Sequence, residues 1–93
     1  MAAHAKQIIV HGRVQGVGFR YFVQHVGNSL GLVGNVRNCP DSTVEIVVEG
    51  NESKISEFIR KIESGPSLAR VQRVDVLDIP VQNTFSSFLI EGW

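Results

Sequence analysis

At 93 residues the chain has length for one small core and not two, and its 43% apolar content excludes a disordered segment. Nine basic and nine acidic side chains cancel, which argues against nucleic acid or an anionic membrane surface as the main partner. The single cysteine, Cys39, excludes an intrachain disulfide and leaves the usual thiol–metal patterns without a second ligand. No apolar run is long enough to span a bilayer, and Met1–Lys6 lacks the apolar stretch of a signal peptide. These features point to one cytoplasmic domain over 1–93, with no membrane partner.

Lys6 to His11 is β-branched and apolar on both faces, as a central strand would be. A loop with Gly12, Gly16 and Gly18 follows. Phe22, Val26 and Leu30 then recur every four residues, with Phe19 and Val23 beside them, which predicts a helix with one buried stripe. Gly27 inside it costs about 1 kcal/mol against alanine and marks close packing on the sheet; Gly31 is a natural stop. Asn35 to Cys39 is a short strand ended by the turn residues Pro40-Asp41-Ser42.

Thr43 to Glu49 alternates, with Val44, Ile46 and Val48 on one face and Thr43, Glu45 and Glu49 on the other; Val47 alone breaks the pattern. Gly50 ends that strand, and Asn51 or Ser53 can cap the next helix, where Ile55, Phe58, Ile59 and Ile62 form an amphipathic stripe. Gly65-Pro66 stops it. Val71 to Ile79 is a fourth strand, and Phe85 to Ile90 is long enough for a short fifth. The order βαββαβ predicts an α+β, ferredoxin-like sandwich: one antiparallel sheet, two helices on one face, and a largely polar opposite face.

The glycine loop has the parts of an anion cradle. Glycines permit the positive φ that lets successive N–H groups converge on one oxyanion, and the start of a helix reinforces that preference. Arg20 adds a planar fork suited to phosphate or carboxylate oxygens. In this topology strands one and two run parallel with the third between them, so the loop and the end of strand two share one sheet edge, roughly 10 Å apart. Asn38 ends strand two and shares its face with Val36, toward the helices and the cradle. Its amide can hold a water beside a bound anion.

Gly12 to Arg20 resembles the acylphosphatase signature G-R-V-Q-G-V-G-F-R position for position. Gly34-Asn35-Val36-Arg37-Asn38 and Asp41-Ser42-Thr43-Val44-Glu45 are similar to that family's second block, and Gly65-Pro66 with Ala69 to Val74 to its late segment. The resemblance implies hydrolysis of acyl phosphates to carboxylate and inorganic phosphate, with no metal and no cofactor. It implies Arg20 and Asn38 as catalytic residues and Gln15, Gly16, Val17, Gly18, Phe19 and Arg20 as the phosphate-binding loop, in a monomer with phosphate as product and inhibitor. The family usually has an aromatic where Asn35 stands, glycine where Ser42 stands, and often alanine where Gly27 stands. The Asn35 change bears on substrate affinity or stability, and the Ser42 change on turn geometry.

Other readings fit less well. A dinucleotide fingerprint needs glycine at Tyr21, and no G-K-[ST] follows for a nucleotide loop. Cys39 alternates away from Asn38 and has no arginine six positions on, so it reads as filler. His4, His11 and His25 have no ligand-like spacing, and Arg13 and Arg37 read as solvated charges. An RNA-binding module needs its aromatics on a strand rather than entering a helix. A non-catalytic anion-binding regulatory module of the same fold has no use for an amide at Asn38. The terminal Gly92-Trp93 has no readable role.

Overall fold

The computed structural model describes residues 3–92; Met1, Ala2 and Trp93 lie outside the described residues, and with Trp93 the end of the unassigned tail. The elements are β1 (His4–Arg13), α1 (Phe19–Ser29), β2 (Val33–Asn38), β3 (Val44–Gly50), α2 (Glu52–Ser64), β4 (Arg70–Asp78) and β5 (Phe88–Glu91). The sheet order is β4-β1-β3-β2-β5. The first four strands pair antiparallel, so β1 and β2 run parallel on either side of β3.

β5 departs from the antiparallel sheet expected: it pairs parallel with β2. Its chain direction explains this. β4 and β5 occupy opposite edges, so residues 79–87 must cross the sheet before β5 begins. The crossing is tied down at each end, by Ile79 N–H donating to Ala5 O at 3.2 Å and Gly34 N–H donating to Ser87 O at 3.1 Å.

Both helices pack on the face carrying Ile8, Val10, Val36, Ile46 and Val48. Phe19, Val23 and Val26 of α1 and Ile55, Phe58 and Ile62 of α2 are buried there, which realises the two stripes read from periodicity. Gly27 is the point of closest approach. A Cβ on it would lie 2.4 Å from a ring carbon of Phe88, so the missing side chain lets β5 dock its one buried aromatic. The Phe58 and Phe88 rings sit 5.6 Å apart and close the core at that edge. Burying a side chain such as Phe88 contributes about 1.5–3 kcal/mol, which anchors a strand of only four residues.

The opposite face is less open than alternation predicts. Thr43 and Glu49, expected on its solvated side, are both buried. Glu49 accepts hydrogen bonds from the backbone N–H groups of Gln82 (2.9 Å) and Asn83 (3.2 Å), because the 79–87 crossing covers that end of the sheet. Among the described residues no helix is long and apolar enough to cross a membrane.

Candidate active site

The two helices begin in opposite ways. At α2, Asn51 accepts from Ser53 N–H and Lys54 N–H, and Glu52 adds a carboxylate to the first turn. Its free donors and its dipole are met from within the chain. α1 has Gly18 at its N-cap, no side-chain cap and no acidic residue in its first turn. Its N–H groups and positive dipole end are left for something else. Gly16 and Gly18 have φ of +74° and +76°, with open space where a Cβ would sit. The preference for glycine is therefore conformational: most other residues there would cost about 1–2 kcal/mol.

Gln15 and Arg20, the two ends of this loop, line a cavity of about 430 Å³ together with Asn38, Cys39 and Pro40. Arg37 and the Glu91-Gly92 end of β5 complete it. Arg20 and Asn38, expected at one sheet edge, thus face the same cavity. Gly16, Val17, Gly18 and Phe19, expected with them in the phosphate-binding loop, do not line it: Phe19 is buried in the core and Val17 packs against that core.

Arg20 Nη1 donates to Glu91 O at 3.1 Å, which leaves the rest of the guanidinium fork free to meet an oxyanion. Asn38 is the last residue of β2, and its Oδ1 is buried without a hydrogen-bond partner. A buried acceptor left unpaired costs about 1–3 kcal/mol, so this atom calls for a donor that no protein group supplies.

The turn after β2 is locked to the loop. Gln15 Nε2 donates to both Cys39 O and Thr43 O at 2.9 Å. The turn itself closes through Cys39 N–H to Thr43 O and Ser42 N–H to Cys39 O, with Pro40 at the position that favours its fixed φ. Asp41 Oδ1 accepts from the Thr43 hydroxyl and N–H, and those bonds hold its carboxyl below the usual carboxylate range. Gln15, expected among the phosphate-binding residues, therefore uses its side chain to fix Asn38's surroundings.

Two residues differ from their sequence reading. Arg37 is not a plain solvated charge: its Nε donates to Glu45 Oε1 at 2.6 Å, and that bond raises its pKa further above the ordinary arginine value. Gln7 Nε2 donates to the other Glu45 oxygen at 2.8 Å, so Arg37 is held against the cavity wall. Cys39 also lines the cavity, because it lies past the end of β2, where strand alternation no longer decides its direction. Glu91 and Gly92 were missed altogether; their place depends on a parallel pairing that no local pattern signals. Of the histidines, His11 contacts Asp75 at 2.9 Å on the sheet surface, away from this cavity. Among the described residues no three His, Cys, Asp or Glu side chains are gathered as a metal ion would need.

Comparison with known proteins gives the arrangement a setting. The family model for acylphosphatase matches residues 6–90. The chain is 47% identical over 83 residues to an acylphosphatase of Geobacillus kaustophilus, covering 89% of this chain and 88% of the relative. It is 42% identical over 87 residues to one of Koribacter versatilis, covering 94% and 79%. In three dimensions it is similar to the crystal structure of acylphosphatase from Bacillus subtilis, with a TM-score of 0.92, 37% identity, and coverage of 96% of this chain and 99% of that one.

Proposed function

The chain belongs to the acylphosphatase family, whose enzymes hydrolyse the carboxyl–phosphate bond of acyl phosphates, and on that premise we propose how its own residues divide the work. Arg20, with the main chain of residues 15–20, holds the phosphoryl group. Asn38 accepts a hydrogen bond from the attacking water and sets its line of approach to phosphorus. The observation that carries this reading is that Asn38, whose Oδ1 is buried without a partner, lines the same cavity as Arg20.

The chemistry asks for little more. The leaving group is a carboxylate, a weak base that departs without a proton from a strong general acid. As the P–O bond to the acyl group breaks, charge spreads over the phosphoryl oxygens, and the uncapped start of α1 and the Arg20 fork both favour charge of that sign. Holding the water and the phosphate in line turns an encounter of two molecules into one oriented step. The same proposal has the protein acting as a cytoplasmic monomer without nucleic acid. The balanced charge and the unpaired Cys39 support that part.

Hydrolysis of benzoyl phosphate tests the assignment. Arg20→Ala and Asn38→Ala should each lower kcat/KM by about 10²–10³ while leaving the thermal unfolding midpoint close to that of the unmodified chain. Inorganic phosphate should inhibit competitively. Activity in either variant equal to that of the unmodified chain overturns the role given to that residue.

A further inference from the structure

Arg20, Gln24 and Asn28 lie one helical turn apart on one face of α1, and all three reach the main chain of β5. Arg20 Nη1 donates to Glu91 O at 3.1 Å. Gln24 Nε2 donates to Phe88 O at 3.1 Å, and Asn28 Oδ1 accepts from Phe88 N–H at 3.2 Å. The lower two rungs take up both backbone polar groups of Phe88. On an edge strand those outward groups would otherwise be left to water.

The third rung differs, because its side chain has a second task. Resting on the reading of Arg20 as the phosphate ligand, we propose that Gln24 and Asn28 are positioning residues for the hydrolysis. They lock Phe88 to α1, and Phe88 fixes the height at which the Glu91 carbonyl, three residues on, presets the Arg20 guanidinium. The Phe88 ring, seated between Gly27 and Phe58, prevents the strand from sliding. A free arginine must give up its rotamer freedom when phosphate arrives; one Nη already bonded to a fixed carbonyl has given up most of it. The remaining fork then meets the phosphate without reorganisation.

The test measures KM for benzoyl phosphate, Ki for inorganic phosphate and kcat at a temperature where circular dichroism shows every variant folded. Gln24→Met removes the donor at nearly constant volume, and Asn28→Ala removes the acceptor. Each should raise both KM and Ki roughly five-fold, the effect of one ordinary hydrogen bond. Asn28→Asp keeps an acceptor and should restore most of the loss. Combined with Arg20→Ala, neither change should lower the residual kcat/KM further, since the residues act through Arg20. Where the doubly changed chain fails to fold, Gln24→Met alone carries the comparison.

A purely structural role gives a different pattern: kcat falls with the folded fraction while KM and Ki stay fixed. That result, or an additive loss in the Arg20→Ala background, overturns the proposal. Hydrolysis that survives Arg20→Ala unchanged overturns the role of Arg20 and the positioning role with it. An Arg20-dependent reaction with unmoved KM and Ki overturns the positioning role alone.

Discussion

Glu45 and Glu49 stand four residues apart on the same face of β3, and the molecule treats them in opposite ways. Glu45 meets side chains: Arg37 Nε at 2.6 Å and Gln7 Nε2 at 2.8 Å, beside the wall of the cavity. Glu49 meets only main chain, the N–H groups of Gln82 and Asn83, and is 1% exposed. Among the described residues it has no basic side chain within ion-pair distance. At one end of the strand a carboxylate orders a charged surface next to the chemistry. At the other it serves as a fastening for the chain segment that delivers β5 to its edge. The same residue type, with the same alternation, is thus a tuning group in one place and a structural anchor in the other. What differs is which distant segment covers it.

The contrast is sharpest in stability. Glu49→Ala leaves two backbone donors under the 79–87 crossing without their charge-assisted partner and should cost about 3 kcal/mol in urea denaturation. Glu49→Gln retains one acceptor oxygen and should cost clearly less. A loss below about 1 kcal/mol for the alanine variant would mean that the crossing is held by its other contacts. Glu45→Ala, at a half-exposed pair, should cost only about 1 kcal/mol. Its cost should also shrink when salt is raised to about 1 M, where charges are screened within about 3 Å. The Glu49 cost should hardly move with salt, because its partners are uncharged backbone amides. Equal salt dependence at the two positions would erase the distinction.

That distinction also marks how far local pattern carries a reader. Periodicity over Phe19–Leu30 and Ile55–Ile62 found both helices, since an amphipathic stripe is a local property. Alternation at Val44, Ile46 and Val48 found the inward face of β3, and the βαββαβ order was enough to bring Arg20 and Asn38 to one edge. The placement of Gly16 and Gly18 at positive φ was legible for the same reason. The parallel pairing of β5 was not, because nothing in Phe85–Ile90 records which edge the chain will reach. The burial of Glu49, the Glu91 carbonyl behind Arg20 and the held position of Arg37 all follow from segments more than seven residues away. Gln15 shows both sides: its place in the signature was legible, while its bonds to Cys39 O and Thr43 O were visible only in the fold.

The smallest effect lies in the two turns that flank this strand face. Ser42 and Asn83 are the two non-glycine residues with positive φ among those described, at +77° beside the cavity turn and +57° in the 79–87 crossing. Asparagine visits the left-handed region several times more readily than most residues, because its short polar side chain can bond locally. Serine has less of that tolerance, and its Cβ crowds the following carbonyl. Against this, glycine at either position gives the unfolded chain more freedom to lose, which offsets roughly 0.5–1 kcal/mol of any strain relieved. Ser42→Gly should therefore raise stability by about 0.5 kcal/mol, whereas Asn83→Gly should be neutral or slightly destabilising. The unfolding midpoints of the two variants, compared in one buffer, decide the matter. A gain at Asn83 as large as that at Ser42 would show that the crossing is strained as the cavity turn is, and that Glu49 holds it against that strain.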